Sequence, residues 1–174
     1  MLLSAVSVFN EIMRRRADLA EVLQQPFYFD TRGQQADGLP RCQAVPIFNV
    51  FEGCLHVLYK RDYIDLAQRF DEVPRLSDRQ IEALDLLDEI CRENGFALEF
   101  DMQAGDILLA NNYQLPHSRT VFEDHEDPEL RRHMLRLWLT LPNGRALPPV
   151  FENTREFCHS YARRLRSDGF QPPC

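Results

Sequence analysis

Asn111-Asn112-Tyr113-Gln114-Leu115-Pro116-His117-Ser118-Arg119-Thr120, followed by Arg132-His133-Met134-Leu135-Arg136-Leu137-Trp138-Leu139, is the stretch on which the reading of this chain turns. It joins a histidine, set just after a strand-breaking proline, to a segment with two arginines at even spacing. Read with period two, Arg132, Met134, Arg136, Trp138 and Thr140 share one face, and Leu135, Leu137, Leu139 and Leu141 share the other. The pattern predicts a strand over His133 to Leu141 whose leucine face is core, with Trp138 also buried. On the opposite face, a cation that leaves water needs a fixed anionic partner. Nothing acidic lies within that strand, so the partner comes from another strand or from a ligand carboxylate, which the planar guanidinium matches with two parallel bonds. The layout is that of a metal site beside an anion site.

Working outward, the chain of 174 residues with 44% apolar content is long enough to bury one core, so residues 1–174 are expected to form a single domain. Twenty Lys and Arg against 27 Asp and Glu give a net charge of -7. That balance disfavours a nucleic-acid surface, which requires a basic face. The apolar start, Met1 to Phe9, precedes the basic cluster Arg14-Arg15-Arg16, the reverse of a secretory signal. No membrane span is expected. Five cysteines, Cys42, Cys54, Cys91, Cys158 and Cys174, are odd in number and too widely spaced for a zinc knuckle or a redox pair. They read as reduced thiols of a cytoplasmic protein.

Element signals point to mixed α/β structure. Ser4 or Ser7 can cap a helix to about Gln24, with Val8, Ile12, Leu19 and Leu23 at helical intervals. Pro26 stops it. Strands are predicted at Phe27 to Asp30, Val45 to Phe51 and Leu55 to Tyr59, the last two joined as a hairpin through Glu52-Gly53. Asp62 fits the cap of a short helix to about Phe70. Ser77 starts the clearest helix, which stops at Asn94-Gly95. Further strands are expected at Ala97 to Met102, Ile107 to Asn111 and Ser118 to Phe122, with Gly105-Asp106 as a turn. A helical tail is expected over Glu152 to Arg166, and fraying over Gly169 to Cys174.

The run from Gly105-Asp106 through Asn111-Asn112, His117-Ser118-Arg119-Thr120 and Arg132 to Leu139, closing with Leu141-Pro142-Asn143-Gly144-Arg145, resembles the C-terminal part of the TauD/TfdA oxygenases. These are the taurine dioxygenase and clavaminate synthase-like enzymes that use Fe(II) and 2-oxoglutarate. The likeness extends upstream to Ser4 to Glu11, Pro26 to Asp30 and Tyr63. It implies a double-stranded β-helix, or jelly roll, with flanking helices. It also implies Fe(II) as metal, 2-oxoglutarate as cosubstrate, O2 as reactant, and a small polar or carboxylate-bearing substrate that is oxidised, most often by hydroxylation. Carried over residue by residue, it makes His117 the distal iron ligand. Arg132 becomes the anchor for the far carboxylate of 2-oxoglutarate, and Arg136 a substrate contact. Asn112 and Arg119, with Asn111, orient the strand that bears His117.

The family's early His-x-Asp/Glu pair has no counterpart here. The only histidine before His117 is His56, in Leu55-His56-Val57-Leu58, with no acid two residues on. His125-Glu126-Asp127 lies inside the acidic run Glu123 to Glu129 and reads as a solvated loop. The jelly roll is therefore expected to be partial, with early strands missing, unpaired edges and an open lumen. A single histidine implies weak iron binding by the chain alone.

Plainer roles stay open beside these. On spacing alone, His117 fits a structural histidine. Arg136 fits an ion pair with Glu99 or Asp101 as well as it fits a substrate contact. A one-residue register slip would exchange Arg132 for Arg131. Cys42 and Cys54 have no visible partner for thiol catalysis. Three functions follow: a 2-oxoglutarate-dependent oxygenase short of two iron ligands, a non-catalytic organic-acid binder, or an accessory subunit that donates strands. The last predicts a homo-oligomer or a partner that completes the β-fold.

Overall fold

The computed structural model describes residues 1–35, 38–118, 123–141, 144–158 and 161. Strand β1 (Leu2–Leu3) leads through Ser4 into helix α1 (Ala5–Leu23), where the Ser4 hydroxyl accepts a hydrogen bond from the Ser7 amide at 3.3 Å. That bond satisfies one of the amides a helix start leaves open. Val8, Ile12, Leu19 and Leu23 are buried, as their spacing requires. The helix is interrupted at Arg16 (φ -150°, ψ 76°), whose guanidinium reaches Asp18 and Glu82.

Pro26 opens β2 (Pro26–Asp30), which pairs antiparallel with β3 (Cys42–Pro46), Phe27 facing Val45 and Phe29 facing Gln43. The single strand expected over Val45 to Phe51 is broken at Ile47, whose amide donates to Leu23 O, and only its second part, β4 (Phe48–Phe51), forms the hairpin with β5 (Cys54–Val57). Its two turn residues, Glu52 and Gly53, both take positive φ (48° and 72°), the conformation that lets a two-residue loop follow the twist of its strands. Helix α2 (Arg61–Ala67) packs on β2, and α3 (Asp78–Arg92) packs along α1. The cap of α2 is Lys60; Asp62 sits in its first turn instead. Ser77 and Gln80 cap α3 reciprocally, each side chain taking the other's backbone amide. Strand β6 (Ala97–Leu98) closes back on β1.

One apolar cluster joins these pieces. Phe27, Phe29, Phe48 and Phe151 lie at its centre with Ile12, Leu19, Leu84 and Ile90. Each such side chain contributes about 1.5–3 kcal/mol on leaving water. Among the described residues the strands form three separate two-stranded pairs and no closed barrel.

The C-terminal half departs from expectation. The strand predicted over Ala97 to Met102 is only Ala97–Leu98, and no strand forms over Ile107 to Asn111 or His133 to Leu141. The leucine face is not core: Leu135 and Leu137 are 85% and 80% exposed, and Trp138 is 63% exposed. The physical reason is that a strand needs a neighbour for its amides and carbonyls, and a cover for its apolar face. Among the described residues neither lies beside 131–141. The Gly105-Asp106 turn does form, closed by the Asp106 amide on Gln103. A 3-10 turn, Pro149–Phe151, is followed by turns over 152–157 where the helix from Glu152 was expected; only 158 and 161 are helical, and 159–160 and 162–174 lie outside the described residues. Residues 119–122 of the expected Ser118 to Phe122 strand also lie outside them.

Candidate functional site

The segment 113–118 carries His117, and its backbone is fixed from two sides. The Val57 amide at the end of β5 donates to Tyr113 O at 2.8 Å. On the other side, Ala5 N donates to Gln114 O and Leu3 N to Pro116 O, both at 2.9 Å, so the segment runs antiparallel to the N-terminus with Leu2 opposite His117. The terminal ammonium of Met1 donates to Ser118 O at 3.0 Å.

Asn111 makes the turn that admits this segment. Its carbonyl accepts from the amides of Gln114 and Leu115, and its side-chain oxygen accepts from the Tyr113 amide at 3.1 Å. This is the local side-chain turn to which asparagine is suited. Asn112 is exposed beside it, and Arg119 lies outside the described residues. Tyr113, which spacing does not single out, anchors the segment. Its ring packs on Phe157 (4.8 Å between centroids) and stacks on Phe151 (6.5 Å). Only its aromatic character, in an otherwise polar turn, marks it in the sequence.

His117 is exposed, and its Nδ1 lies 3.1 Å from Leu115 O. A carbonyl on Nδ1 favours a proton there and leaves Nε2 with its lone pair outward, the tautomer a metal takes. His56 has the opposite character. It is 3% exposed, with Nδ1 on Cys54 O at 3.2 Å and its ring edge-on to Tyr113 and Phe151. It is a packed core histidine.

Arg132 and Arg136 lie on the exposed stretch without regular structure. Among the described residues no ion pair joins Arg136 to Glu99 or Asp101. Arg131, the neighbour in register, is tied to the acidic loop, donating to His125 O at 3.0 Å and Glu126 O at 3.2 Å. Among the described residues no group of three or more His, Cys, Asp or Glu is arranged to hold a metal ion. The residues in place therefore do not by themselves build an iron site. A surface cavity of about 500 Å³ between α1 and α3, lined by Arg16, Leu19 and Glu82 among others, includes neither His117 nor the two arginines. Thiol chemistry gains no support: burial pushes the Cys91 thiol up to about 11 and raises that of Cys42.

No helix among the described residues is long and apolar enough to cross a membrane. Residues 1–138 match the family model described as taurine catabolism dioxygenase TauD, TfdA family. That span contains His117, Arg132 and Arg136. The chain is 29% identical over 160 residues to FR-33289 synthase of Streptomyces rubellomurinus (strain ATCC 31215), covering 87% of this chain and 45% of that protein. It is 27% identical over 140 residues to the taurine hydroxylase-like protein SAT17 of Stachybotrys chartarum (strain CBS 109288 / IBT 7711), covering 79% of this chain and 35% of that one. The chain thus spans less than half the length of these curated relatives. With the family match covering most of its length, this chain belongs to the TauD/TfdA family of dioxygenases.

Proposed function

We propose that this chain supplies the distal half of the site of an Fe(II)/2-oxoglutarate-dependent oxygenase that oxidises a small polar or carboxylate-bearing molecule. His117 is one iron ligand, Arg132 grips the far carboxylate of 2-oxoglutarate, and Arg136 meets the substrate. The observation that carries this reading is the family match over residues 1–138, a span that includes these three positions. The two remaining metal ligands come from a polypeptide segment that also pairs with the stretches 99–111 and 131–141 to complete a jelly roll. The exposed leucines of 135–141 support this, because a strand face so apolar is normally covered. The free thiols Cys42, Cys54, Cys91 and Cys158 suit a reducing cytoplasm.

Calorimetric titration of 2-oxoglutarate, with and without Mn(II), tests the assignment. Replacing Arg132 by Ala removes charge-assisted hydrogen bonds worth about 1.5–3 kcal/mol each, so affinity is expected to fall about tenfold or more. Equal affinity in Arg132→Ala and the unaltered chain contradicts the assignment. The lack of a three-ligand cluster among the described residues favours one second reading, an organic-acid binder without oxygenase chemistry. Binding of 2-oxoglutarate that is lost in Arg132→Ala but indifferent to Mn(II) and to His117→Ala identifies that case.

A further inference from the structure

A second cationic centre lies where β2, α2 and the segment after the Pro149–Phe151 turn meet. Three positive groups from these three parts of the chain surround the ring of Tyr63: Lys60 Nζ at 4.8 Å from the centroid, Arg32 Cζ at 5.6 Å and Arg155 Cζ at 5.8 Å. Like charges this close repel, and attraction to one half-buried ring offsets only part of that. Carboxylates neutralise the group only in part, through Glu156 beside Arg155. Arg155 pairs with Glu156 at 3.4 Å, which also accepts from Gln43, while no carboxylate among the described residues pairs with Arg32 or Lys60.

An independent observation concerns the backbone. Arg32 holds a left-handed conformation (φ 56°), uncommon for a residue with a long side chain. Its amide is fixed there by Asp30 Oδ1 at 2.7 Å, and the next residue, Gly33 (φ 71°), continues the turn. The buried Asp30 carboxylate thus holds a left-handed turn that keeps Arg32 near the other two cations.

We propose that Arg32, Lys60 and Arg155 around Tyr63 form a binding site for a phosphate-type tetrahedral oxyanion. Two planar guanidinium forks and one point-like ammonium, approaching from three parts of the chain, suit a group with three accepting oxygens and more than one negative charge better than a planar carboxylate. The Tyr63 hydroxyl adds a donor of unusual acidity. The neighbouring Arg32 guanidinium holds its phenol below the ordinary tyrosine range against the opposing effect of burial, and Arg155 adds to the lowering. The site uses none of His117, Arg132 or Arg136, and its ligand binds without a metal.

Calorimetric titration of the full chain at low salt with inorganic phosphate, methylphosphonate and glycerol 3-phosphate tests the proposal, with acetate as the planar control. Arg32→Gly removes the cation while easing the backbone, so it preserves the fold; Lys60→Gln is the second variant. Each is expected to weaken phosphate binding by about tenfold, in line with losing a charge-assisted contact. Ligand binding is also expected to raise the Tyr63 phenol, read by its ultraviolet titration, because an adjacent anion opposes phenolate formation. Tighter binding of glycerol 3-phosphate identifies an organic phosphate as the source, and tighter binding of inorganic phosphate the free ion; either supports the site. Absence of binding up to about 10 mM, equal affinity in both variants, or acetate binding as tightly as phosphate overturns it.

Discussion

Asp30 is buried at the end of β2, where Oδ1 accepts the Arg32 amide and Oδ2 lies 2.7 Å from Arg69 Nη2 without a well-directed hydrogen bond. The contact to Arg69 is therefore one of charge, while the bond to the Arg32 amide fixes direction. Removing both in Asp30→Ala leaves a buried amide unsatisfied beside a strained turn, and a loss of about 2–4 kcal/mol in denaturant unfolding is expected. Asp30→Asn keeps the acceptor for Arg32 and gives up only the charge contact to a solvent-facing arginine, so it is expected to cost about 1 kcal/mol. Equal losses in the two variants would show that charge, not the turn, is what Asp30 supplies. His117 and His56 make a related contrast. Both have Nδ1 against a carbonyl two residues back, yet one ring is exposed at an edge and the other is enclosed by Tyr113 and Phe151. Spacing alone does not separate them; burial does.

Helices α1 and α3 are clamped by charge as well as by their apolar faces. Arg15 forks onto Glu93 at 2.5 and 2.6 Å and also meets Glu11, Arg16 reaches Glu82 at 2.6 Å, and Arg79 reaches Asp18 at 2.7 Å. Hydrogen bonds from Arg14 and Arg15 hold the Glu11 carboxyl at about 2, Arg15 lowers Glu93, and Arg16, then Arg79, lower Asp18. A carboxylate depressed in the folded state stabilises fully above its unfolded value near 4.5 and loses that contribution as pH falls through its folded value. Stability is therefore expected to decline as pH drops from about 4.5 towards 2, and Glu93→Gln is expected to flatten that slope. An unchanged slope in Glu93→Gln would refute the clamp. These helices were legible in the sequence because their signals are local. Ser4 and Ser77 start them, apolar residues recur at helical spacing, and Pro26 and Gly95 follow their ends. The β4–β5 hairpin was legible for the same reason, through Glu52-Gly53. The alternation in 132–141 was equally clear, but alternation states only what a strand needs, and the neighbour it needs is not among the described residues.

Among the described residues, apolar stretches Ile107 to Leu109 and Leu135 to Leu141 face solvent. Exposed segments of this kind associate. Sedimentation is expected to show concentration-dependent self-association of the chain, reduced by Leu137→Lys; a monomer at every concentration would argue against a pairing role for the stretch. The candidate site was legible only through the resemblance around His117 and Arg132, because those two residues become a site when strands bring them together. The turn at Asn111 and the anchoring of Tyr113 emerge from the fold. The centre at Tyr63 was not legible, since Arg32, Lys60 and Arg155 are far apart in sequence. The most direct test of the iron-ligand assignment is nuclear magnetic resonance of the histidine rings during addition of substoichiometric Mn(II), which detects a weak site. Selective broadening of the His117 ring signals, enhanced by 2-oxoglutarate and absent in His117→Ala, is the predicted result. Broadening confined to His125 in the acidic run, with His117 untouched, would contradict it.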